Sequence, residues 1–142
     1  MKRLFVFIVA ICFVLVACGQ GPTEEKSNST RDRVYSESWD GNPIIVEQRS
    51  TDGDYKIINE ITDTDAVNKL IDALGNAAWE ENVKVDIGPP DYSFTWNSYE
   101  HSVWVNEEYE RLELIINGQS NYGTLSKSPS ELVFGILTGE KF

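Results

Sequence analysis

Two cysteines, Cys12 and Cys18, one histidine, His101, and 23 carboxylates are the side chains of this chain best suited to act as nucleophile, base or metal ligand. Their spacing assembles little. A serine triad would have to recruit His101, and no G-x-S-x-G turn exists to present a nucleophile. Transition-metal sites usually take two or more imidazoles or thiolates, which one histidine does not supply. His101 opens the stretch His101-Ser102-Val103-Trp104-Val105, and as its first residue it is expected at an exposed strand edge. Asp52-Gly53-Asp54 and Asp63-Thr64-Asp65 carry paired carboxylates, but neither continues into an EF-hand loop. Turn and helix-cap chemistry accounts for both. Glu107-Glu108-Tyr109-Glu110 reads as a solvated loop. No glycine pattern for cradling phosphate is present. The expectation is a chain with no catalytic residue, no metal and no cofactor.

Aromatic residues are the denser signal. Trp79, Tyr92, Phe94, Trp96, Tyr99, Trp104 and Tyr109 fall within one stretch, with Trp39 upstream. Such side chains are enriched where proteins bind peptides, sugars or other proteins. The candidate binding surface is the loop Pro89-Pro90-Asp91 with Tyr92, Trp96, Tyr99 and Trp104, because a double proline presents neighbouring rings at low entropic cost. Against it stands the alternation of Tyr92, Phe94 and Trp96, which is what a sheet face packed under a helix would use.

The one residue with a defined covalent chemistry is Cys18. Lys2 and Arg3 precede an unbroken apolar run, Leu4 to Val16. That run is too short for a membrane-spanning helix, which needs about 20 residues, and it fits a secretory signal. Leu15-Val16-Ala17-Cys18-Gly19 then follows. These residues resemble the lipobox of bacterial lipoproteins, in which the cysteine sulfur takes diacylglycerol and the chain is cut before it. The resemblance implies a signal peptide over 1–17, lipid on Cys18, and residence at the outer face of the cell membrane. Two acyl chains anchor firmly, since each buried methylene contributes about 0.8 kcal/mol. Loss of Lys2 and Arg3 leaves 10 basic against 23 acidic residues, a net charge of −13. Anionic headgroups and nucleic acid would repel it. Cys12 departs with the signal, so the processed chain has no thiol free for disulfide or catalysis.

Residues 18–33 are expected to be the lipidated cysteine and a polar tether. The stretch GQGPTEEKSNSTRDR holds no large apolar residue, and a flexible segment of that length reaches about 20 Å. A single globular domain is expected over 34–142. Ile44–Ser50 and Tyr55–Ile61 flank Thr51-Asp52-Gly53-Asp54 as a hairpin. Thr62 with Asp65 opens a helix carrying Val67, Leu70, Ile71 and Leu74 on one face, expected over 63–78. A short strand is expected at Val83–Asp86, then strands at Asp91–Trp96, His101–Val105, Leu112–Ile116 and Tyr122–Leu125, with Asn117-Gly118 as a hairpin turn. Ser128-Pro129-Ser130-Glu131 caps a last helix over 129–138, ended by Gly139. The fold class is α+β: an antiparallel sheet of about 5–6 strands built from hairpins, with two helices packed on it.

The run Ala77-Ala78-Trp79, then Pro89-Pro90-Asp91-Tyr92-Ser93-Phe94, Trp104, and Tyr122 with Leu125 before the last helix resembles the uncharacterised YhfM-like lipoproteins of Bacillus and relatives, over about residues 44–140. That resemblance implies a lipid-anchored extracytoplasmic domain and brings no activity with it. The expected role is a non-catalytic binding or interaction module in the cell envelope, meeting a protein, peptide or glycan and no nucleic acid. The alternative is a hydrolase of envelope polymers using paired carboxylates, as glycosidases do across a sugar cleft.

Overall fold

A computed structural model describes residues 30–142, without the side chains of Thr30 and Arg31. Cys18, the expected signal and residues 18–29 of the expected tether lie outside the described residues. The elements are α1 (Thr30–Tyr35), β1 (Ile44–Arg49), β2 (Tyr55–Ile61), α2 (Thr64–Gly75), β3 (Ala78–Glu81), β4 (Tyr92–Trp96), β5 (Tyr99–Asn106), β6 (Arg111–Ile116), β7 (Asn121–Thr124) and α3 (Lys127–Thr138). The strands form one open antiparallel sheet of seven in the order β2-β1-β4-β5-β6-β7-β3. The α+β class and hairpin construction agree with the sequence reading. The strand number is seven rather than 5–6, and α1 is a third helix among the described residues.

The alternation of each strand decides the layers. Val46, Phe94, His101 and Ile116 sit in register across β1, β4, β5 and β6 and are all buried. With Ile44, Tyr92, Trp96, Val103, Leu112 and Leu114 they form the face onto which the helices pack. The helices contribute Val34 from α1, Val67, Leu70 and Leu74 from α2, and Val133 and Leu137 from α3. Ser130 Oγ joins layer to layer: it accepts from the Leu112 N–H at 2.8 Å and donates to the Leu125 carbonyl at 3.0 Å.

Several local expectations shift. Residues 30–33 of the expected tether belong to α1, because Val34 and Tyr35 dock on the core and pull the preceding turn with them. α2 ends at Gly75 rather than reaching 78. The Trp79 indole donates to the Leu74 carbonyl at 2.7 Å, which turns the chain back and makes Ala78–Glu81 an edge strand. The strand expected at Val83–Asp86 is therefore absent, displaced to the preceding segment. Pairing of Trp79 with Gly123 explains why β7 carries a glycine: a Cβ there would lie 2.8 Å from the indole ring. Asp63, not Thr62, caps α2, accepting from Ala66 N–H at 2.8 Å. α3 starts at Lys127, with Ser126 rather than Ser128 at its cap, since Ser130 is drawn inward to the strands. Gly139 closes α3 in the left-handed conformation, φ 75°, as its sequence position implied.

Candidate functional site

Among the described residues, no helix lies on the face of the sheet opposite α1, α2 and α3. Its residues are those out of phase with the core: Ile45, Glu47 and Arg49 on β1, Ser93 and Thr95 on β4, Glu100, Ser102 and Trp104 on β5, and Arg111, Glu113 and Ile115 on β6. On this face the sheet carries two distinct regions, one over β5–β7 and one over β1, β2 and β4.

The first holds part of the aromatic candidate surface. Trp104 lies on this face, and its indole donates to the Gly88 carbonyl at 2.8 Å. The Tyr55 hydroxyl donates to the Pro90 carbonyl at 2.7 Å. Asp91 accepts from the Val105 N–H at 2.9 Å and lies 3.7 Å from the Arg49 guanidinium. The loop Gly88-Pro89-Pro90-Asp91 is thus strapped down by its own carbonyls. The structure brings Pro89, Pro90, Asp91 and Trp104 together. It does not bring Tyr92, Trp96 or Tyr99 to them. Tyr92 and Trp96 are buried under the helices, Trp96 at 2 % exposure, so their rings are core and not binding surface. Tyr99 pairs with Trp96 on the same core face and packs against the cluster. The correction follows from parity: Trp104 is five positions from Tyr99 along one strand, and an odd separation puts the two on opposite faces.

Beside Trp104, Glu113 is largely buried and accepts from Asn106 Nδ2 at 2.8 Å and from the Arg111 guanidinium at 2.9 Å. Burial alone would raise its pKa. The hydrogen bonds from Asn106, Arg111 and Tyr122 outweigh burial and hold the carboxyl below its usual range. A general acid for glycoside cleavage needs the opposite displacement. Among the described residues no three His, Cys, Asp or Glu side chains converge as a metal site.

His101 is not at an edge. It is fully buried in the middle of the sheet, stacked on Phe94 with centroids 4.7 Å apart. Nδ1 lies 2.9 Å from the Tyr99 carbonyl, which can only accept, so Nδ1 carries the proton. Nε2 then accepts the Tyr35 hydroxyl at 2.8 Å. Burial lowers the His101 pKa to about 4, against a smaller opposing effect of the Tyr99 hydrogen bond, and burial pushes the Tyr35 phenol up. The single histidine is a core hydrogen-bonding element that fixes α1 to β5.

The second region holds none of the residues expected from the sequence to form a site. A recess of about 310 Å³ lies on the open face, floored by Ile45, Glu47, Ser93 and Thr95 and flanked by Asp40 and Glu100. Its end wall is the segment after α1, which Asn97 of the β4–β5 turn holds by accepting from Asp40 N–H at 3.1 Å and donating to the Ser38 carbonyl at 3.0 Å. The Asp40 carboxylate in turn caps Asn42. Among the described residues, three carboxylates line the recess, and no Lys or Arg does. Ile45 in its floor is 36 % exposed, and Ile57, across the strand from Glu47, is 66 % exposed. A signal for them was present: Ile44-Ile45-Val46 and Ile57-Ile58 put apolar residues at adjacent strand positions, and adjacent positions cannot share the core face.

A family model described as YhfM protein matches residues 40–141, from just after α1 almost to the C-terminus. No curated protein and no solved structure matches.

Proposed function

We propose that this chain, which belongs to the YhfM family, is a non-catalytic interaction module held at the outer face of the cell membrane by lipid on Cys18. The observation that carries the reading is the asymmetry of the sheet: one face is sealed by three helices, and the other exposes large apolar side chains beside a recess. A domain with no recognition task would more cheaply cover both faces or make the outer one polar. The lipobox of residues 15–19 supports the anchor, and the acidic surface stands the domain off anionic headgroups. The partner is a protein or peptide of the envelope.

The test is site-specific photo-crosslinking in intact cells. A crosslinker at Thr95 on the open face is compared with one at Lys69 on the exposed side of α2, with Cys18→Ser as the release control. Thr95 is expected to give a discrete adduct in the membrane fraction and Lys69 none, and Cys18→Ser is expected to move the protein to the soluble fraction. Adducts from Lys69 alone, or a Cys18→Ser chain that stays on the membrane, refute the reading.

A further inference from the structure

The open face over β1, β2 and β4 has a pattern as well as an exposure. Ile45 of β1 stands directly across from Glu60 of β2, and Glu47 directly across from Ile57. Cross-strand neighbours have Cβ atoms about 5 Å apart, so each of these isoleucines stands beside a glutamate; the register shift between Val46 and Glu47 puts Ile57 and Glu60, three residues apart, on the same face. Glu47 also sits opposite Ser93, whose hydroxyl reaches it at 3.4 Å, and Glu100 sits opposite Thr95. The acidic recess continues this pattern toward Asp40. The one basic side chain on the same face of β1, Arg49, is turned to Asp91 at the far end. Lys56 pairs with Gln48, which is in phase with Val46 and so on the helix-covered side.

We infer that this face binds a cationic peptide segment of a partner protein, one that alternates aliphatic side chains with Lys or Arg: Ile45 and Ile57 take the aliphatic groups, and Glu47, Glu60 and Glu100 take the ammonium or guanidinium groups. The inference deepens the interaction-module reading and rests on it. Charge complementarity selects this occupant. A second copy would bring the same carboxylates face to face, and an anionic lipid surface or nucleic acid would be repelled by them. A glycan would want a free flat ring on the patch, and the rings of this face, Tyr55 and Trp104, are tied to Pro90 and Gly88 at its far end. The exposed isoleucines supply apolar contact that a purely polycationic ligand would leave unused. Recognition therefore requires both features in one segment.

The experiment uses the full chain, isotope-labelled, in neutral detergent micelles. It is titrated with an acetylated peptide alternating lysine and valine, with the same peptide carrying glutamate for lysine, and with oligolysine of equal charge. The lysine–valine peptide is expected to shift the amide resonances of Ile45, Ile57, Thr95 and Glu100. It should bind about tenfold more tightly than oligolysine, and the glutamate peptide should not bind. Ile57→Ser, an exposed change, and the double variant Glu47→Gln with Glu100→Gln should each weaken it about tenfold, with the amide spectrum otherwise unchanged. Oligolysine binding equally well, shifts confined to other surfaces, or unchanged affinity in both variants overturns the inference. A crosslink in cells from Thr95 to a partner segment without Lys or Arg also overturns it and leaves the interaction-module reading standing. No crosslink and no peptide binding removes both.

Discussion

Acidification should strip stability from this domain through His101 before most carboxylates are protonated. The neutral imidazole is the species the fold holds, accepting from Tyr35 and donating to Tyr99 within the core. Its pKa is about 4 in the native state against an ordinary 6.5. Above pH 6.5 both native and unfolded chains carry it neutral, and its full contribution is present. Between 6.5 and about 4 the unfolded chain takes up a proton that the native chain refuses, so stability falls as pH falls. The gap between these values corresponds to about 3 kcal/mol, lost at about 1.4 kcal/mol per pH unit in the steep part. For a domain with total stability of about 5–15 kcal/mol that is a large share. Urea unfolding followed by tryptophan fluorescence at stepped pH is the assay. The reference is Tyr35→Phe with His101→Phe, which removes the titrating group and its partner together and keeps a ring on Phe94. Between pH 6.5 and 5 the native sequence should lose about 2 kcal/mol more than the reference. Equal slopes for the two chains, or a His101 ring proton resonance titrating near 6.5, refutes the reasoning.

Two further outcomes follow from the packing. Gly123→Ala places a methyl where the Trp79 ring lies 2.8 Å away; it should cost about 1–3 kcal/mol, read by urea unfolding, and lower the near-ultraviolet dichroism of the displaced indole. Ser130→Ala leaves the Leu112 N–H without its acceptor in a fully buried site, and should cost about 1–3 kcal/mol in the same assay with α3 content unchanged.

What the sequence made legible was whatever rested on local rules. The β1–β2 hairpin, the Asn117-Gly118 turn, the amphipathic stripe of α2 and the stop at Gly139 follow from residue order alone, and all are present. β3 was not legible, because Ala78-Trp79-Glu80-Glu81 has little strand preference of its own. Its conformation is set by the Trp79 indole reaching back to Leu74 and lying on Gly123, the second a contact with a strand far along the sequence. α1 was hidden for the same reason: six residues without a regular apolar stripe become helical because Val34 and Tyr35 find the core. At His101 parity with Val103 points to the buried face, but a strand taken to start at His101 leaves out Tyr99 and Glu100 and so places the histidine at an edge. Of the expected surface, the loop Pro89-Pro90-Asp91 and Trp104 lie together on the open face, whereas Tyr92 and Trp96 are claimed by the core. Ile45 and Ile57 were passed over because isoleucine in a strand reads first as interior.

The grip of α1 on the sheet gives the molecule a load path. Any pull on the chain ahead of Thr30 acts first on Tyr35 and Val34, and through them on His101 and the Trp96 indole, which donates to the Val34 carbonyl at 3.4 Å. That pull arrives on the helix-covered side of the sheet. After α1 the chain rounds the β4–β5 turn, where Asn97 clasps it, before Asp40 and Asn42 reach the other side. Asn97 works as a cleat on a line. A force entering through α1 thus meets the Tyr35 and Val34 contacts and then the Asn97 clasp before the chain runs into β1 and its Ile45.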